Sequence, residues 1–82
     1  MPPWYQVRVL PYGSAKSIPI TVLQGKQPVN SKTTFSASID FDDASYQAYG
    51  DTPREAAVNF CEWLICLRRI QSYELLGIIQ TA

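Results

Sequence analysis

The chain has 82 residues, of which 46% are hydrophobic, and its seven basic residues balance its seven acidic ones. A chain this short forms one domain with a thin core, which a partner or a second copy would help to cover. Binding to nucleic acid without sequence preference needs clustered Lys and Arg, so a net charge of zero favours a protein partner.

No targeting or membrane signal is visible. The start, Met1-Pro2-Pro3, lacks the basic and apolar segments of a signal peptide, and no apolar run is long enough to span a bilayer. We therefore expect a cytoplasmic protein that does not enter a membrane.

The first part of the chain predicts two β-strands. Residues 4–10 alternate so that Tyr5, Val7 and Val9 share one face, and residues 18–23 alternate in the same way. Pro19 cannot donate to a strand ladder, which indicates either an edge strand or the first residues of a strand. Residues 24–32 are typical of a mobile polar loop.

A hairpin follows, and its first strand has the clearest pattern. Residues 33–41 place apolar side chains on one face and polar ones on the other, which is typical of a strand with one face on a core and one in water. Residues 42–45 supply the turn, and residues 46–49 return as a fourth strand. We expect Tyr46 and Tyr49 to divide between core and surface.

The strongest boundary is the start of a helix at Thr52. Its hydroxyl can cap the helix, Pro53 suits the first helical position, and Glu55 completes a capping box. The helix is predicted to run from Pro53 to about Tyr73. At 100° per residue, its sheet-facing stripe consists of Ala56, Phe60, Trp63, Leu67 and Ile70, with Ala57 and Leu64 at the margin.

The end of the chain is ambiguous. Gly77 could end the helix and leave a short strand, or a second small helix could dock there; we favour a short extended tail for residues 75–80. The sequence therefore predicts an α+β domain. Its three- to four-stranded antiparallel sheet carries one long amphipathic helix on one face (ββββα), with an optional short C-terminal strand.

Six residues are candidates for a protein interface. Val58 and Ile65 lie about 180° from the core stripe, with Cys61 beside them, so this ridge could pack on a partner or simply be scattered surface. Trp4 either covers the second face of the sheet or is an exposed anchor. The remaining two are Arg68 and Arg69, in the last predicted helical turns. Together with Arg54 they form either a small basic patch or a solvated surface.

Nothing in the chain indicates catalysis, a metal or a cofactor. It has no His, no Gly-rich phosphate loop and no paired nucleophile and base, so we expect a non-enzyme. Cys61 and Cys66 project about 140° apart on a helix, too far round to bond within it, and are expected to stay reduced. Turns and a helix cap account for the local acidic residues, which are Asp40, Asp42, Asp43 and Asp51.

Residues 35–67 contain a hairpin that leads into Gly50-Asp51-Thr52-Pro53-Arg54-Glu55-Ala56. This segment resembles the HicB-like antitoxin domain, in which a hairpin runs into a "GDTPEEA"-type helix start. The resemblance implies a partner-binding inhibitor that neutralises a toxin ribonuclease. The same segment is similar to the strand–strand–helix half of a double-stranded-RNA-binding domain, whose final helix begins with a basic phosphate-gripping motif. Here that stretch contains a single basic residue, Arg54.

We therefore expect a small protein-binding module that acts as an inhibitor or adaptor. It would be either HicB-like or of the anti-CRISPR kind, by which phages and mobile elements block host defence nucleases. Self-association as a homodimer is a further expectation. The alternative is an RNA- or DNA-binding module.

Overall fold

The computed structural model describes residues 4–26 and 33–79, with only the main chain described for Trp4, Lys26, Thr33 and Ile79. The elements in chain order are β1 (Trp4–Pro11), β2 (Ile18–Lys26), β3 (Thr33–Asp40), β4 (Ser45–Gly50), α1 (Pro53–Cys66) and β5 (Ile70–Ile79). The predicted α+β class is confirmed, with a sheet of five strands and one helix packed against it.

The order of the strands explains the position of the helix. The sheet has the order β4-β3-β2-β1-β5, and every neighbouring pair is antiparallel. The first four strands form a meander, whereas β5 joins the far side of β1. Because β4 and β5 lie at opposite edges, the chain between them has to cross the sheet. The helix α1 makes this crossing and packs against all five strands.

Strand β2 belongs to both halves of the sheet. Its residues 18–22 pair with β1, whereas its residues 23–26 pair with β3. The edge-strand interpretation of Pro19 is therefore wrong, because β2 is internal. The other interpretation, that Pro19 belongs to the first residues of a strand, is confirmed, because Pro19 is the second residue of β2. It lies outside the β2–β3 ladder, so its missing N–H removes no hydrogen bond to β3.

The predicted β3–β4 hairpin is confirmed. The Phe41 N–H donates to the Ala44 carbonyl at 2.8 Å across the turn, and Ile39 lies opposite Tyr46. Ala37 and Ile39 are buried on the helix side, whereas Ser38 on the other side is exposed. The sheet thus has one face covered by α1 and one polar face.

The predicted helix start is also confirmed. Thr52 has extended backbone angles, its Oγ1 accepts a hydrogen bond of 3.1 Å from the Glu55 N–H, and Pro53 begins the helix. Just before this cap, Gly50 runs against the first turn. A Cβ at Gly50 would lie 2.4 Å from the Ala56 backbone nitrogen, closer than van der Waals contact permits.

The helix ends at Cys66, so the predicted extension to Tyr73 is wrong. Arg68 adopts a left-handed backbone with φ of 59°. The Arg69 N–H donates to the Leu64 carbonyl at 2.8 Å, and the Arg68 N–H donates to the Ile65 carbonyl at 3.0 Å. These two bonds form a Schellman motif, which usually places Gly where this chain has Arg68. Arg68 and Arg69 therefore follow the helix and are not part of its last turns.

The chain after this turn forms β5. The extended tail predicted for residues 75–80 is confirmed over residues 75–79, and Gln80 lies outside the described residues. Gly77 does not end a helix. It has φ of 82° and lies at a register shift of the β1–β5 ladder, where it faces Gln6 while Leu75 faces Val7.

The buried face of α1 is rotated from the predicted one. Ala56 and Phe60 are buried as expected, but Trp63 and Leu67 are 41% and 45% exposed. Ile70 is buried from β5 and not from the helix. The face that meets the sheet consists of Ala56, Ala57, Phe60, Cys61 and Leu64. The predicted stripe was wrong because two of its five members lie beyond the helix end and cannot define a helical face.

The close approach at Gly50 predicts a destabilising substitution. Gly50→Ala should lower the free energy of unfolding by about 1–3 kcal/mol, because the Ala56 backbone would have to move. Urea denaturation measures the change. Gly25→Ala is the matched control, since a Cβ there meets nothing within 4 Å. Equal stability of the two variants would contradict the close packing of β4 on α1.

The left-handed residue that ends α1 predicts a stabilising substitution. Arg68→Gly should raise the free energy of unfolding by about 0.5–1 kcal/mol relative to Arg68→Ala, because glycine adopts φ of 59° without the Cβ penalty. Comparing the two variants removes the effect of the lost charge. If thermal melts showed Arg68→Ala to be more stable than Arg68→Gly, the left-handed helix end at residue 68 would be contradicted.

Candidate functional site

The outward ridge predicted on α1 is not an exposed surface. Cys61 is fully buried, Ile65 is half-buried and packs against the core, and Val58 is half-buried. Burial, with a smaller effect of the Glu62 charge, raises the pKa of Cys61 to about 12. This thiol therefore stays protonated at neutral pH and is not a nucleophile.

The other predicted interface residues are separated in the structure. Arg68 is exposed after the helix end, and Arg69 turns toward the β3–β4 hairpin. The prediction for the Trp4 side chain lies outside the described residues. Cys61 and Cys66 are free thiols, and Cys66 is exposed.

A different surface joins the hairpin to the exposed flank of the helix. The Tyr46 ring meets the Trp63 ring edge-on, with centroids 5.3 Å apart and planes at 79°. Phe41 also meets Tyr46 edge-on, with centroids 5.8 Å apart and planes at 71°. Leu67 follows Trp63 by four residues and is exposed like it. We call Phe41, Tyr46, Trp63 and Leu67 the aromatic patch.

Arg69 lies against two rings of the aromatic patch. Its guanidinium carbon lies 5.7 Å from the Phe41 ring centroid and 5.4 Å from that of Tyr46, within the range of cation–π attraction. Both terminal nitrogens donate to the Asp43 carboxylate, at 3.1 and 2.7 Å. This two-pronged contact fixes the orientation of the guanidinium plane.

The pair is electrically balanced. The hydrogen bonds from Arg69 lower the pKa of Asp43 below its usual value, and the same contact raises the pKa of Arg69. Both groups are therefore charged at neutral pH and offset each other. The pair lies at the surface beside the aromatic patch, since the Asp43 side chain is 61% exposed and that of Arg69 is 34% exposed.

Three segments position these groups. The β3–β4 turn carries Asp43, the last turn of α1 carries Trp63, and the left-handed residue after the helix directs Arg69 back to the turn. Arg69 is thus the one predicted site residue among the described side chains that joins this surface. Sequence reasoning missed the patch because the spacing of Trp63 and Leu67, which was visible, was assigned to the core.

The composition of the patch suits protein recognition. Aromatic residues and Arg dominate the binding energy of many interfaces, and charged residues are depleted at interface centres. Trp63 and Leu67 expose large apolar area beside a rigid pair of rings. The arrangement can therefore bury apolar surface.

The remaining chemistry is limited. Over residues 4–26 and 33–79, no three His, Cys, Asp or Glu side chains are grouped so as to hold a metal ion. In the same part of the chain, no helix has the length and apolar character needed to cross a bilayer. An open depression on the polar face of the sheet contains Arg8 and Glu74, which lie 4.0 Å apart.

Comparison of the chain with protein-family models, curated proteins and solved structures gave no match. The resemblance of residues 35–67 to HicB-like domains therefore stays a hypothesis that these comparisons do not test.

The Arg69–Asp43 pair predicts a pH-dependent contribution to stability. Because the pKa of Asp43 is lowered in the folded chain, the pair stabilises the fold above the ordinary aspartate pKa of 3.8. This stabilisation is lost as the pH falls through the lower, folded-state pKa. We expect Asp43→Asn to lower the melting temperature at neutral pH and to have little effect in strong acid.

Thermal melts followed by circular dichroism at the two pH values measure this difference. Asp42→Asn, at the adjacent exposed position of the same turn, is the control. An equal effect of Asp43→Asn at both pH values would show that the ion pair does not stabilise the fold.

Proposed function

We propose that this chain is a small protein-binding module that acts as an inhibitor or adaptor, with the aromatic patch as its docking surface. The observation that carries the proposal is the exposure of Trp63 and Leu67 beside rings that Arg69 and Asp43 hold in place. A surface whose side chains are already ordered loses less conformational entropy on binding, so more of its contact energy appears as affinity.

Charge favours a protein over a nucleic acid as the partner. Two arginines that could contact phosphates already have carboxylate partners, because Arg69 is bound to Asp43 and Arg8 lies 4.0 Å from Glu74. Phosphate recognition relies on unpaired basic groups arranged along one surface. A partner with an apolar, largely uncharged face fits the patch better.

The resemblance to HicB-like domains adds a class of partner. All four residues of the aromatic patch lie within the segment 35–67 that carries that resemblance. We therefore propose a toxin or defence nuclease as the inhibited partner. Free thiols at Cys61 and Cys66 suit the reducing cytoplasm in which such partners act.

Substitution of Trp63 tests the docking surface. Trp63→Ala should weaken partner binding by about 2 kcal/mol or more, roughly 30-fold, because the largest exposed ring of the patch is removed. Affinity purification from the native host with wild-type and variant chains identifies the bound protein, and calorimetry with that protein measures the change. Tyr49→Ala is the matched control, since Tyr49 is 51% exposed and lies in β4 outside the patch.

Three outcomes decide the proposal. A protein retained by the wild type and by Tyr49→Ala, lost by Trp63→Ala and inactivated on binding would support it. Equal binding by both variants would reject the patch as the docking surface. Firm retention on heparin that modest salt releases would favour the nucleic-acid alternative.

A further inference from the structure

Strand β5 is a long edge strand. It has ten residues, its one neighbour among the described strands is β1, and it contains no Lys and no Pro in its sequence Ile70-Gln71-Ser72-Tyr73-Glu74-Leu75-Leu76-Gly77-Ile78-Ile79. Its one charge, Glu74, already faces Arg8 on β1. Ile78 is 64% exposed. Natural edge strands usually carry charges, Pro, short lengths or β-bulges that prevent pairing with another chain. The two register shifts of the β1–β5 ladder fall at Gln71 and Leu76, so the stretch of β5 that is free for regular pairing is residues 72–75.

The main-chain pattern shows which groups of β5 point outward. The Tyr12 N–H donates to the Arg69 carbonyl at 3.4 Å, so this residue of the chain that follows β1 directs its backbone toward β5. The register shift between Leu10 and Pro11 places its extra residue, Gln71, in β5, so backbone direction still alternates along β1, and Leu10 and Arg8 do the same. Their register partners, Ser72 and Glu74, point back to β1. The N–H and C=O groups of Tyr73 and Leu75 therefore point away from the sheet.

We propose that a second copy of this chain pairs antiparallel along the outer edge of β5, with the two-fold axis at Tyr73, to give a continuous ten-stranded sheet. In this register Tyr73 exchanges main-chain hydrogen bonds with Tyr73 of the second copy. Ser72 then lies opposite Glu74 of the second copy. An axis at Glu74 would instead place the two carboxylates directly opposite each other, which is unfavourable.

A second copy fits this edge because β5 is complementary to itself in this register. An isologous interface repeats each contact twice, so the neutral Ser72 partner of Glu74 occurs two times. The surface involved is separate from the aromatic patch, which lies toward β3 and β4. Dimerisation and binding at the patch can therefore fail independently.

The position opposite Glu74 gives a test that depends on the register. Ser72 is exposed, so charged substitutions there leave the core intact. Ser72→Lys should strengthen the dimer and Ser72→Glu should weaken it, each by about two- to thirty-fold in the dissociation constant, because two cross-strand pairs change together. Sedimentation velocity over a series of concentrations measures the constant for wild type and variants.

Gln47→Lys and Gln47→Glu on the opposite edge strand, β4, are the matched controls, since Gln47 is also exposed. Thermal melts of all the variants show that they are folded. Opposite shifts for the two Ser72 variants, with no shift for the Gln47 pair, would support the proposal. A wild-type chain that stays monomeric at NMR concentrations would overturn it. A dimer whose dissociation constant is unchanged in both Ser72 variants would also overturn it.

Discussion

The left-handed backbone of Arg68 is the constraint on which the rest of the fold depends. It ends α1 with a Schellman motif two residues before Ile70, so the following ten residues are free to form β5. It also turns Arg69 back toward Asp43, beside the aromatic patch. One backbone conformation thus determines the length of the helix, the fifth strand and the geometry of the candidate docking surface.

Structural features that depend only on residues close together in the chain were predictable. The cap at Thr52 and the turn after Phe41 depend on hydrogen bonds between residues close in the chain, and both were found where expected. The alternation of Ala37 and Ile39 with polar residues likewise identified the core side of β3. Such features depend on side-chain type and spacing alone.

The helix end and the helix face were not predictable in this way. A Schellman turn is recognised by its glycine, and here Arg68 takes that place, so the periodic pattern continued past the true end. The core face of α1 depends on its packing against β4 and β5, the strands before and after it in the chain. The first residues of β5 had been predicted as helix. Cys61 is therefore buried where an exposed ridge was expected, and Trp63 and Leu67 are exposed where core was expected.

The pairing of β1 with β5 joins opposite ends of the described chain, since Trp4 lies opposite Ile79. During synthesis on a ribosome, β1 would emerge before the other strands. Almost the whole domain would then have to be synthesised before β5, its second neighbour, became available. Contacts this distant along the chain slow folding, because the intervening segment must be brought together before they form. The nascent chain would meanwhile expose the edge of β1 that β5 later covers.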